Sequence, residues 1–218
     1  MQSRVSLGAF IEQLHETEMD FVDAAKQAEQ EPARLESLVC AVGAEDACTR
    51  FAASKLLRII SHEKPELMYP HFDFLAGLLH SKNSFLKWNA MIALADLAAV
   101  DKEKKLDRIL DVYLKPIRGS AMVDAANAIR GGATIAKAKP YLADKIARKI
   151  VQVERAHYAK AECRNVAIGH AIEGLGQFFG DIPCKKLVRA FVGRQKRNAR
   201  ATTRRKAEMF CKKWGRTQ

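Results

Sequence analysis

Long apolar runs are missing from this chain. No uncharged apolar stretch approaches the ~20 residues needed to cross a bilayer, and the opening MQSRVSLGAF lacks the extended apolar core of a secretory leader. Cysteine is scarce and odd in number: Cys40, Cys48, Cys163, Cys184 and Cys211, with no CxxC. A disulfide framework is therefore not expected. Buried, inert thiols in a reducing, cytoplasmic setting are. The six prolines, twelve glycines and 7% aromatic residues, beside abundant alanine and leucine, favour helix over strand. Alternating strand patterns and Asn-Gly hairpin signals do not occur.

Chemical signatures are equally thin. None of the six histidines pairs with another as in HExxH, and His157 and Cys163 lie six apart, a spacing that matches no common zinc site. Cys163 and His170, seven apart, do not by themselves make a nucleophile and base. Gly174 and Gly176 do not complete a GxGxxG, and there is no P-loop. No metal, cofactor or catalytic residue is expected.

What the chain does have is a recurring core. TRFAASKLLRII (from Thr49), LKWNAMIALADL (from Leu86), MVDAANAIRGGA (from Met122) and RNVAIGHAIEGL (from Arg164) share small apolar residues at helical spacing. Pairing Ala53/Leu57, Ala90/Leu94, Ala125/Ile129 and Ile168/Ile172 gives separations of 37, 35 and 43 residues. A period in that range marks a stacked helical array. Helices are expected over 8–29, Ala33 to Val42, Asp46 to His62, Glu66 to Leu79, Ser81 or Asn83 to Val100, Leu106 to Leu114, 120–137, Tyr141 to His157, Lys160 to Phe179, Cys184 to Val192 and Lys196 to Trp214. Gly131 and Gly132 make 120–137 the weakest of these, and read as a close helix contact or a kink.

The array resembles HEAT repeats, with armadillo repeats a close cousin. The clearest match is KNSFLKWNAMIALADLAAV, residues 82–100: a polar turn, a basic residue, then Ala and Leu at helical spacing. Lys87, Ala90, Leu94 and Leu97 fit that pattern, as do Arg50, Ala53 and Leu57. Arg164, Ala167 and Ala171 fit it less fully. Asp124 stands where the third repeat would carry its base. The resemblance implies an all-α, right-handed α-α superhelix of about five helix pairs. It would form a single HEAT-like domain, with an extra N-terminal helix over 8–29, near-neutral repeats over 32–180 and a basic C-terminal repeat over 181–218. Such arrays present a concave groove to a protein partner, and a non-catalytic binding scaffold is the function it implies.

Charge is concentrated at one end. From Asp181 to Gln218 there are thirteen Lys/Arg against two acids, whereas the preceding 180 residues carry a net charge of only +1. On the last helix Ala199, Thr203, Ala207, Phe210 and Trp214 share a stripe, and Arg197, Arg200, Arg204, Arg205, Lys212 and Arg216 take the opposite half. A one-signed face suits a polyanion, so nucleic-acid binding is the alternative function. Arg50, Lys87, Trp88 and Arg164 are groove candidates: the bases as phosphate contacts or repeat-to-repeat stitches, Trp88 as core or stacking platform. A further alternative is the HEAT-like alkylpurine DNA glycosylase class, similar in length and charge. Its groove aromatics and carboxylate have no secure counterpart here, since the nearest acid on the Trp88 helix is Asp96. Sequence leaves the oligomeric state open.

Overall fold

The computed structural model describes residues 21–30 and 32–215. They form helices joined by short turns and loops, with no strand among them. No described helix is long and apolar enough to cross a membrane. The described residues fall into two compact units, divided between Lys105 and Leu106.

In the first unit α1 (Phe21–Glu29) and α2 (Pro32–Ala41) pack on α3 (Ala47–Glu63), which packs on α6 (Ser84–Asp96). Only the last nine positions of the expected 8–29 helix fall within the described residues. Asp46 caps α3 by accepting from the Thr49 N–H at 2.6 Å, and Asn83 caps α6 by accepting from Phe85 and Leu86. Between them the expected continuous helix Glu66 to Leu79 is broken. The chain runs instead as α4 (Pro65–Met68), a 3-10 turn, α5 (Phe72–Gly77) and a second 3-10 turn. Pro70 is the cause, because its nitrogen has no hydrogen to continue the ladder. Leu38, Leu56, Ile60, Met68, Phe72 and Leu94 close this core at 2% exposure or less. Within it Asn89 donates to the Ser54 hydroxyl at 3.1 Å, which satisfies two buried polar groups at once.

The second unit holds α7 (Lys105–Leu114), α8 (Met122–Ala138), α9 (Ala143–Ile150), α10 (Ala161–Gln177), α11 (Lys185–Gln195) and α12 (Ala201–Trp214). α8, α10 and α12 pack in succession, α9 rests on α8 and α10, and α11 rests on α12. Side-chain bonds at a sequence separation of about one repeat stitch the unit. Tyr141 donates to Asp107, Lys145 to Asp111, and the Thr203 hydroxyl to the Asn165 carbonyl. Arg194 forks onto Glu154 at 3.1 and 2.6 Å. α8 is unbroken across its two glycines. A Cβ on Gly132 would lie 3.1 Å from Leu114 and 3.4 Å from Ile146, so that glycine serves close helix packing and not a kink.

The N-caps of the five long helices, Asp46, Asn83, Ala121, Lys160 and Arg200, are spaced 37, 38, 39 and 40 residues apart. This register corrects the sequence pairing. The residue seven beyond each cap is Ala53, Ala90, Ala128, Ala167 and Ala207, every one at most 1% exposed. The third and fourth repeats therefore align on Ala128 and Ala167, not on Ala125 and Ile168. The basic position is four beyond the cap: Arg50, Lys87, Ala125, Arg164 and Arg204. Asp124 lies one residue before it.

Candidate binding faces at the C-terminal end

The last repeat carries the chain's excess charge, and the structure sorts its cations by what they touch. α11 runs on to Gln195, and Asn198 then builds the turn, donating to the Gln195 side chain and accepting from the Arg200 N–H. α12 therefore begins at Ala201 and not at Lys196. Ala199 falls in the turn and is exposed, outside the apolar stripe that buries Thr203, Ala207 and Phe210.

Arg200 forms an ion pair with Glu162 on α10. Arg204 turns back to donate to the carbonyls of Asn198 (2.8 Å) and Ala199 (2.9 Å). Arg50 in the first unit does the same to Ala44 and Glu45, at the same position of its own repeat. At these two places the basic residue of the repeat ties down the loop that enters its helix. Lys87, Trp88 and Arg164 are each partly exposed. Asp96, the acid nearest Trp88 on α6, faces His62 at 3.5 Å, and burial holds its carboxyl above the usual range against the pull of that histidine. Arg197, Arg205 and Lys212 are exposed and have no carboxylate partner among the described residues. Arg216 lies outside the described residues.

Beside this end face, α10 and α12 line a wide, open cleft of about 690 Å³. Its floor is Ile172, Gly176, Phe210 and Trp214. Glu173, Gln177, Lys206 and Lys213 line the rest, and Met209 stands at the edge with 63% of its surface exposed. The aromatic floor is anchored from below by Phe179, edge-on to Phe210 at 5.0 Å and 5.2 Å from Trp214. Lys206 bonds Glu173 at 2.9 Å, while the Lys213 ammonium sits 4.9 Å from the Trp214 ring centroid. The sequence wheel placed Phe210 and Trp214 on the packed stripe. It had no means to show that Met209 and two lysines frame an opening beside them.

His170 adjoins the cleft and is only half-buried. Burial depresses its pKa, the nearby Lys206 and Arg130 charges add to that, and Glu173 opposes them. A histidine held neutral in the fold binds fewer protons than it does in the unfolded chain. Stability is therefore level above the unfolded value of about 6.5 and falls as pH drops from there toward the depressed folded pKa. Urea midpoints should decline between pH 7 and 5.5, and His170→Gln should flatten part of that decline.

Cysteine placement departs from expectation. Cys40 and Cys48 are exposed, and none of the five thiols is joined in a disulfide among the described residues. The Cys184 thiol is pushed up to about 11 by burial and by the Asp144 carboxylate beside it, which leaves it unreactive near neutrality. Among the described residues no group of three or more His, Cys, Asp or Glu is placed to hold a metal ion.

No family model matches the chain, and no curated protein sequence does. Among solved structures, a crystal structure of an engineered protein from the Northeast Structural Genomics Consortium is similar to it. The TM-score is 0.50 at 16% identity, over 94% of this chain and 95% of the other. At that identity the likeness concerns the fold alone.

Proposed function

We propose that this protein is a non-catalytic binding scaffold of the HEAT-like kind, and that it takes an acidic protein segment with an apolar anchor in the α10/α12 cleft. The exposure of Met209 above an aromatic floor carries this reading. A thioether left largely in water beside Phe210 and Trp214 is apolar surface available to a partner. Lys206 is held by Glu173, but Lys213 at the same opening complements a carboxylate flanking the anchor, and charge complementarity of this kind selects the partner and speeds encounter. The superhelical reading rests on the five long helices, the steady spacing of their N-cap positions and the alanine shared at one register position.

Affinity capture from the native cell tests the proposal. The wild-type chain should retain a protein in stoichiometric amount after nuclease treatment, and Met209→Asp should lose it. Equal retention by the variant would move the site elsewhere.

Nucleic-acid binding by the end face is the second reading, favoured by the exposed, carboxylate-free Arg197, Arg205 and Lys212. These three, and not Arg200 or Arg204, are the cations to neutralise. Under this reading the triple Gln variant loses mobility-shift affinity for DNA, and its dependence of log affinity on log salt becomes shallower by about 0.9 for each phosphate contact removed.

A further inference from the structure

A second cleft, of about 380 Å³, lies in the same unit, where the end of α7 and the turn after it meet α9 and the turn that follows it. Its lining includes Asp111, Lys115, Arg118, Lys149 and Gln152. Asp111 is the only carboxylate there, and both of its oxygens are taken: Lys145 and Lys149 each approach one at 2.9 Å. Those bonds hold its carboxyl below the usual range, so it is ionised. Lys115, four residues further on at the start of the 3-10 turn after α7, would be its natural local partner. With the carboxylate already shared by two lysines of α9, Lys115 is left exposed without an ion pair, and so is Arg118. Three cations, Lys115, Arg118 and Lys149, thus line the cleft beside one carboxylate, and its volume is of small-ligand size, for which about 300–1,000 Å³ is usual.

We infer that this cleft binds a phosphate monoester carried on a small molecule, with Arg118 and Lys115 as its principal contacts and Asp111 competing with the ligand for Lys149. A dianion matches the uncompensated charge better than a lone carboxylate would. The planar guanidinium can meet two phosphate oxygens at once, and Gln152 supplies a neutral donor at the rim. The site shares no residue with the α10/α12 cleft or the basic end face, so it stands or falls apart from the function proposed above.

Inorganic phosphate, titrated into the full-length protein and followed by phosphorus NMR, is the test. Sodium chloride keeps the ionic strength constant. Saturable binding is expected. In Lys115→Gln/Arg118→Gln it should weaken by about tenfold or more, the usual consequence of losing charged hydrogen bonds. Asp111→Asn should tighten it, because removing the competing carboxylate frees Lys149 to meet the phosphate, and a merely structural role for Asp111 would not produce that sign. Arg205→Gln/Lys212→Gln should leave it unchanged. A nucleoside monophosphate should bind with the same dependence on these variants. The proposal is overturned if phosphate does not saturate at constant ionic strength, or if the Arg205/Lys212 pair matters as much. It is also overturned if the cleft variants weaken only a single-stranded oligonucleotide and leave inorganic phosphate unaffected, since the cleft would then be part of a nucleic-acid track.

Discussion

Replacing Phe179 by alanine should destabilise the protein by about 3–5 kcal/mol, the range for removing a fully packed phenylalanine. The ring is 2% exposed. It packs against Phe210 and Trp214 of α12, and the Arg189 guanidinium lies 5.7 Å from its centroid. Its ring thus joins both aromatic residues of the last helix. Its loss should loosen α12 before the rest of the second unit and displace the floor of the α10/α12 cleft. Partner capture should therefore fall in Phe179→Ala even though Phe179 does not line that opening. Urea unfolding followed by circular dichroism measures the stability change. A cost below about 1 kcal/mol, within the range of ordinary surface substitutions, would mean that α12 is anchored elsewhere.

Enlarging the shared alanine should cost about 1–3 kcal/mol through overpacking. Ala167→Leu is the most informative case, since Ala167 has no exposed surface and α10 packs on both α8 and α12. The added side chain can be accommodated only by moving α10 away from a neighbour, and a core packed to crystal density resists that. Ala161→Leu, at the exposed start of the same helix, is the matched control and should change stability by no more than about 0.5 kcal/mol. Similar costs for the two variants would show that the repeated alanine is compositional and has no packing role. Ala53, Ala90, Ala128 and Ala207 occupy the same register and should respond as Ala167 does.

The repeated alanine was legible because helix burial has a period, and small residues recurring on that period need no tertiary information to be noticed. Its register in the third repeat was not legible. α8 offers Ala125 and Ala128, three residues apart on one face, and both are fully buried. Periodicity cannot choose between positions a helical turn apart; the N-cap at Ala121 does. The break at Pro70 was open to the sequence, since a proline inside an expected helix is a stop or a kink. The turn at Asn198 was harder to see, because it depends on a side chain reaching the neighbouring backbone, and no helical wheel represents that.

The candidate sites divide in the same way. Composition along the chain placed the charge excess at the C-terminal end, and counting alone sufficed for that. Which cations are exposed was beyond counting. Arg200 meets Glu162 across 38 residues, Arg204 meets the backbone of its own entry turn, and Lys115 is unpaired because two lysines of a later helix hold Asp111 first. The sequence by itself determined helix, repeat and the location of charge, because each follows from local periodicity or summation. Only the tertiary structure decided which charges are neutralised and which clefts open, because ion pairing and cavity formation depend on distances between residues far apart in the chain.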